Sequence, residues 1–157
     1  MKPITPCLWF DGVAEEAARF YTGIFPDSGI DTVVHYGPEV PDQEGRVLTV
    51  GFRLNGQPWT ALNGGPVFTL SEAISMEVHC ESVEEVDRYW DALVDGGVEQ
   101  PCGWLKDRYG VSWQVIPPGV REWLTSPDAE ARSRVARAVY ATHGKLDAVA
   151  LEKAYRG

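Results

Sequence analysis

The sequence predicts an α+β protein of two tandem βαβββ units followed by a helical C-terminal extension. Three observations predict it. A strand-like run leading into an amphipathic helix is written twice, about seventy residues apart. Strand and turn signals follow each copy, and after Pro117-Pro118 the pattern becomes helical. In the first copy Ile4 to Phe10 leads into Asp11-Gly12-Val13-Ala14-Glu15-Glu16-Ala17-Ala18-Arg19-Phe20-Tyr21. In the second, Ile74 to Cys80 leads into Glu81-Ser82-Val83-Glu84-Glu85-Val86-Asp87-Arg88-Tyr89-Trp90. With one residue dropped after the Val, both read Val, Glu-Glu, two residues, Arg, aromatic, aromatic.

In the first unit, about residues 1–66, a strand is expected over Ile4–Phe10, with Pro6 near its start where a missing N–H matters least. Alternation puts Ile4, Leu8 and Phe10 on one face and Thr5, Cys7 and Trp9 on the other. Asp11 is the expected cap of a helix carrying Val13, Ala17, Phe20 and Tyr21 on its apolar stripe and ending at Pro26. Gly29–Tyr36 is β-branched, Gly37–Gly45 reads as a loop, and Arg46–Leu54 joins Gln57–Asn63 through the hairpin signal Asn55-Gly56.

Gly64-Gly65-Pro66 marks a junction, and Val67–Ala73 a connecting loop. The second unit, about 72–118, opens on a strand with Ile74, Met76, Val78 and Cys80 facing one way and Ser75, Glu77 and His79 the other. Ser82 and Glu85 form a capping box, Val86, Trp90, Leu93 and Val94 give the helix its buried stripe, and Gly96-Gly97 ends it. A short strand near Val98–Gln100 precedes strands over Pro101–Lys106 and Val111–Ile116, turned by Asp107-Arg108-Tyr109-Gly110. In residues 119–157, Ser126-Pro127-Asp128 resembles an N-cap with Pro in the first turn, Ala129–Thr142 a helix stopped by Gly144, and Leu146–Tyr155 a second short helix. Their small apolar faces (Val135, Val139, Leu146, Val149, Leu151) suit docking on a sheet or partner rather than independent folding.

At 157 residues, with 44% hydrophobic and 11% aromatic content, the chain has ample material for a core. The net charge of −9 argues against a nucleic-acid surface, since phosphate binding is driven by Lys and Arg. The imbalance is uneven: residues 1–118 hold seven Lys/Arg against eighteen Asp/Glu, residues 119–157 seven against five. No leader pattern and no apolar run near eighteen residues is present, so a cytoplasmic protein without membrane partners is expected. Cys7, Cys80 and Cys102 are odd in number and lack CxxC spacing, which fits reduced thiols rather than a disulfide framework or zinc ribbon.

Several segments carry a family resemblance. Pro6-Cys7-Leu8-Trp9-Phe10-Asp11-Gly12, Gly64-Gly65-Pro66, Glu72-Ala73-Ile74-Ser75, Glu85-Val86-Asp87-Arg88-Tyr89-Trp90 and Cys102-Gly103-Trp104-Leu105-Lys106-Asp107-Arg108-Tyr109-Gly110-Val111-Ser112-Trp113-Gln114-Val115 resemble the PhnB-like branch of the vicinal oxygen chelate superfamily. That superfamily includes glyoxalase I, bleomycin-resistance proteins and extradiol dioxygenases, and the branch is often labelled 3-demethylubiquinone-9 3-methyltransferase. The resemblance implies a glyoxalase-like domain over 1–118, each unit curling a mixed sheet into a half-barrel with its helix outside and a polar cavity inside. It also implies a homodimer and a small-molecule ligand.

With the helix on the apolar face of each first strand, the cavity is expected to be lined by Thr5, Cys7 and Trp9, and by Ser75, Glu77 and His79. From the closing strands come Trp59, Ala61 and Asn63, and Ser112 and Gln114. Superfamily metal enzymes take His and Glu from these strands, the closing Glu four residues after the turn glycine. Four after Gly110 stands Gln114, and the first strand has no His, so no divalent metal is expected; a partial set of Glu77, His79 and Cys7 is the alternative. A class I methyltransferase needs a Rossmann-like glycine turn, which Gly64-Gly65 and Gly96-Gly97 do not supply, so S-adenosylmethionine is expected only if the label holds.

These residues predict a protein that binds or transforms a small organic or aromatic molecule. Glu77 is the candidate general base, set against an exposed strand charge. His79, Asn63 and Gln114 would position the ligand, although His79 also fits a solvated strand end. Cys7 is among the ligand-contact candidates and reads as a small apolar filler rather than a nucleophile, having no His or Lys neighbour in sequence to form the thiolate. Trp9, Trp59, Trp104 and Trp113 are either core or stacking surfaces, and Arg53 and Lys106 either surface charges or partners of an anionic substrate. The rivals to an enzyme are a ligand-sequestering protein of the resistance type and the methyl transfer of the label.

Overall fold

Each repeated helix organises a four-stranded mixed sheet. The computed structural model describes residues 4–157, which form two compact units, one ending at Leu70 and one spanning Ser71–Gly157. In the first unit the elements are β1 (Cys7–Phe10), α1 (Ala14–Ile24), β2 (Gly29–His35), β3 (Val47–Leu54) and β4 (Gln57–Asn63). Strand order is β1-β4-β3-β2, with β1 parallel to β4 and the other pairs antiparallel. The first strand is shorter than Ile4–Phe10: Pro6 has no N–H to give, and its carbonyl accepts from Thr60 N at 2.9 Å just before the ladder starts. Helix α1 buries Ala14, Ala17, Ala18 and Tyr21 and packs against β2, β3 and β4. Three alanines let the helix approach a sheet surface that carries Leu8, Phe10, Val50, Phe52, Leu54 and Trp59, all buried.

Asp11 does not cap α1. The N-cap residue is Val13, which has no capping side chain; instead Asn63 Oδ1, from the end of β4, accepts from Ala14 N at 2.9 Å. A long-range amide thus does the work that a local carboxylate usually does.

The second unit repeats the plan with β5 (Met76–His79), α2 (Val83–Val94), β6 (Val98–Glu99), β7 (Trp104–Lys106) and β8 (Ser112–Ile116). Strand order is β5-β8-β7-β6, with β5 parallel to β8 and the rest antiparallel. Ser82 Oγ accepts from Glu85 N at 3.2 Å, and Glu85 Oε2 reaches back to Glu81 N at 2.9 Å, so the expected capping box forms with the return bond one residue early. Val86, Tyr89, Trp90 and Leu93 are the buried residues of α2. Asp107, 4% exposed, holds the turn before β8: its carboxylate accepts from Tyr109 N, Val111 N and Trp113 Nε1 at 2.8, 3.0 and 2.8 Å.

The extension folds as α3 (Val120–Leu124), α4 (Ala129–Ala141) and α5 (Ala148–Arg156) within the second unit. Asp128, rather than Ser126, caps α4, accepting from Glu130 N and Ala131 N, and Asp147 caps α5 in the same way. Val120, Leu146 and Leu151 are buried together, with Ile116, Trp123, Leu124, Ala138 and Val139 against them. Between α4 and α5 the chain touches the tip of the β6–β7 hairpin. Cys102 N donates to Thr142 O, Gly103 N to Gly144 O and Gly144 N to Gln100 O, at 2.9, 3.1 and 3.0 Å. No helix among the described residues is long and apolar enough to cross a membrane.

Candidate functional site

Residues paired across a ladder point to the same side of a sheet, so register decides which side chains can meet a common ligand. In the second unit Glu77 pairs with Gln114, Trp104 with Gln114 and Lys106 with Ser112. Glu77, Gln114, Trp104, Lys106 and Ser112 therefore share one face, while Met76, Val78, Leu105, Trp113 and Val115 share the other. On the second of these faces Leu105, Trp113 and Val115 are 0–3% exposed, and α2 packs on β7 and β8. The polar residues occupy the other face, open at Glu77 and His79, partly covered at Trp104, Lys106 and Gln114, and closed over Ser112.

Four of the sequence candidates meet there. His79 Nε2 lies 3.0 Å from Glu77 Oε2, with the two side chains 46% and 52% exposed. Gln114 Nε2 donates to Ser75 Oγ at 2.8 Å. Ser112 is 2% exposed and its Oγ has no hydrogen-bond partner. The face also holds groups that alternation along β5 and β8 alone does not bring together. Lys106 Nζ is 2.5 Å from Glu72 Oε1, and Gln100 Nε2 donates to the same carboxylate at 2.9 Å. Those two bonds, the lysine's first, pull the Glu72 carboxyl down to about 2.

In the first unit the closing strand turns its candidates the other way from the expectation. Leu54 pairs with Gln57 across the Asn55-Gly56 turn, placing Trp59 opposite Phe52, and Asn63 pairs with Phe10. Trp59 and Asn63, with Ala61, thus lie on the helix-bearing core face, not with Cys7 and Trp9. The neighbours of Cys7 and Trp9 in β4 are Thr60 and Leu62. Asn63 uses both ends of its amide on backbone, since Nδ2 also donates to Val47 O at 2.9 Å. Trp9 donates its indole N–H to Gly65 O at 2.8 Å and meets Phe68 edge-on. A Cβ on Gly64 would fall 2.2 Å from the Trp9 ring, so this close approach requires glycine. Cys7 is exposed at the strand start, and partial burial raises its thiol pKa.

The first unit also contains a cleft of about 590 Å³ lined by Asp11, Glu15, Tyr36, Arg46, Asn63 and Gly65 among others. Tyr36 Oη donates to Asn63 O at 2.8 Å on its wall. Arg53, a sequence candidate for anion binding, is committed to Asp31 through Nε at 3.0 and 3.1 Å.

On the open face of the second unit the Glu77 carboxylate and the His79 imidazole bond one another, and the next side chain across the ladder, Gln114, is an amide tied to Ser75 and a weak donor for a divalent metal. Among the described residues no three His, Cys, Asp or Glu side chains group as metal ligands.

Two four-stranded mixed sheets, each opened by a strand that runs parallel to its closing strand and backed by one helix, define the vicinal oxygen chelate, glyoxalase-like fold. The fosfomycin resistance protein FosX from Listeria monocytogenes has the same fold, with 13% identity, 79% of this chain and 98% of that one covered, and a TM-score of 0.56. The protein PA1353 from Pseudomonas aeruginosa shares it at 23% identity and a TM-score of 0.64, covering 74% of this chain and 98% of that one. Residues 2–116 match the family model described as 3-demethylubiquinone-9 3-methyltransferase, and the chain belongs to that PhnB-like family. A PhnB protein from Bacillus cereus, described as a putative member with that activity, is 38% identical over 74% of this chain and 99% of that one, with a TM-score of 0.67. No protein of curated function matches the chain.

Proposed function

We propose that the open sheet face of the second unit binds a small organic molecule with an aromatic or apolar body, and that Glu77 acts on it as a general base. The observation that carries this reading is the shared register of Glu77, Gln114, Trp104 and Ser112 on one face, with His79 on Glu77. Trp104 supplies a stacking surface, Gln114 and Ser112 orient polar groups, and Glu77 takes a proton from an acidic C–H or O–H while its bond to His79 holds the carboxylate in place. Cys7 and Trp9 form a separate ligand-contact pair on the open face of the first unit. The protein is read as a homodimer, as the family fold suggests, and as cytoplasmic.

The fold holds no Rossmann-like nucleotide turn among the described residues: β1 leads to α1 through Asp11-Gly12-Val13 and β5 to α2 through Cys80-Glu81-Ser82. The methyl transfer named by the family is therefore the weaker reading.

NMR with a library of small aromatic compounds tests the proposal, the protein's signals being followed in H2O and the compounds' C–H signals in D2O. Binders should shift the Trp104 indole signal, and solvent deuterium should enter an acidic C–H of at least one of them. Glu77→Gln should keep binding and slow that exchange by roughly 10²- to 10⁴-fold, the usual contribution of a general base. Binding with no exchange in the wild type would instead assign a sequestering role. Exchange unaffected by Glu77→Gln would remove Glu77 as the base.

A further inference from the structure

We propose that Lys106 and Gln100 form an anion subsite on the open face of the second unit, selective for the carboxylate or phosphonate head of a small organic ligand. The Glu72 carboxylate fills it as an internal stand-in that the ligand displaces. This inference rests on the reading of that face as the ligand site.

The two donors converge on one oxygen: Lys106 Nζ and Gln100 Nε2 lie 2.5 and 2.9 Å from Glu72 Oε1. An ammonium and an amide N–H aimed at a single point make a charge-assisted anion cradle. Both donors stand on the ligand face. Val98 pairs with Lys106, which puts Gln100, two residues on, beside Trp104 on the same side. The carboxylate they hold comes from a turn outside any strand or helix, on an exposed residue, so it can leave without breaking a ladder.

The stand-in leaves one donor unused. Ser112, opposite Lys106 in the ladder, keeps a buried hydroxyl with no partner. A buried hydroxyl without a partner is costly, and an anion with further oxygen atoms seated on Lys106 would accept its O–H. A ligand with an anionic head at Lys106 and a ring over Trp104, two residues apart along β7, would then lie with Gln114 of β8 next to its ring and Glu77 of β5 one strand further on.

The test uses ¹⁵N NMR titration of the full chain with benzoate, phenylphosphonate and, as the neutral counterpart, benzyl alcohol, following the Trp104 indole N–H. Both anions should shift it. Glu72→Gln, which removes the competing carboxylate, should tighten benzoate and phenylphosphonate by about tenfold, and Lys106→Met, which keeps the aliphatic stem, should weaken them by at least about tenfold. Ser112→Ala should weaken phenylphosphonate several-fold. Benzyl alcohol should respond to neither Glu72→Gln nor Lys106→Met. If benzyl alcohol shifts Trp104 while the anions ignore both substitutions, the anion subsite is overturned and the ligand face stands. If no compound moves Trp104, the ligand face itself fails, and the subsite with it.

Discussion

Asn63 joins three parts of the first unit through one residue. Its Oδ1 caps α1, its Nδ2 holds the Val47 carbonyl at the start of β3, and its own carbonyl receives the Tyr36 hydroxyl. Asn63→Ala leaves a helix-terminal N–H and a strand carbonyl without these partners, and a loss of about 1–3 kcal/mol in urea unfolding is expected. Asn63→Asp retains the acceptor alone and should fall between the two. Asp107 holds two backbone N–H groups and an indole from a buried position, so Asp107→Ala should cost about 3 kcal/mol by the same measurement. The Cys80 thiol is pushed up to about 11, mainly by burial and then by the Glu85 carboxylate. Its folded pKa exceeds the ordinary 9.0, so its contribution is complete below pH 9 and is lost as pH rises toward 11, where the unfolded chain ionises first. Thermal unfolding should show a decline across that window which Cys80→Ala reduces.

The strands, helices and repeat were legible because period and turn chemistry are local properties. Asn55-Gly56 named its hairpin, Ser82 and Glu85 their cap, and the Ser75/Glu77/His79 alternation its open face. What escaped was decided by pairing. In β4 both Ala61 and Leu62 are apolar, so the strand's own alternation does not say which set joins Leu8, and the register placed Trp59 and Asn63 on the core side. The α1 cap came from a residue 49 positions away, which no N-terminal signature encodes. Helix α3 is five residues long, too short for a periodic signal. Gly103 shows how tightly the hairpin tip is fitted: at φ +81° a Cβ would lie 2.8 Å from Leu146 and 3.3 Å from Val115 O. Gly103→Ala combines left-handed strain with that clash, and a loss of at least about 1–2 kcal/mol is expected in denaturant unfolding.

For the molecule as a whole, the family description and the fold make opposite predictions for one experiment. A ligand that binds only the native state raises its melting temperature. S-adenosylmethionine at high concentration should leave the melting temperature unchanged, and a rise of several degrees would restore methyl transfer as the leading reading. Sedimentation equilibrium should give a mass near twice 17.4 kDa if the homodimer reading holds, and a single-chain mass at all concentrations would remove it. The formal charge of −9 should leave the protein without affinity for duplex DNA at physiological salt.

The family model stops at residue 116, yet the segment between α4 and α5 supplies the carbonyls that receive the Cys102 and Gly103 amide protons. Those two protons are therefore clocks for the extension. In D2O they can exchange only when Thr142–Gly144 lifts away, so their exchange rates should match those of the α4 amides rather than those of β8, and destabilising the tail with Leu151→Ala should speed both sets together. The hairpin bearing Trp104 would then share its opening events with a segment outside the family's common domain.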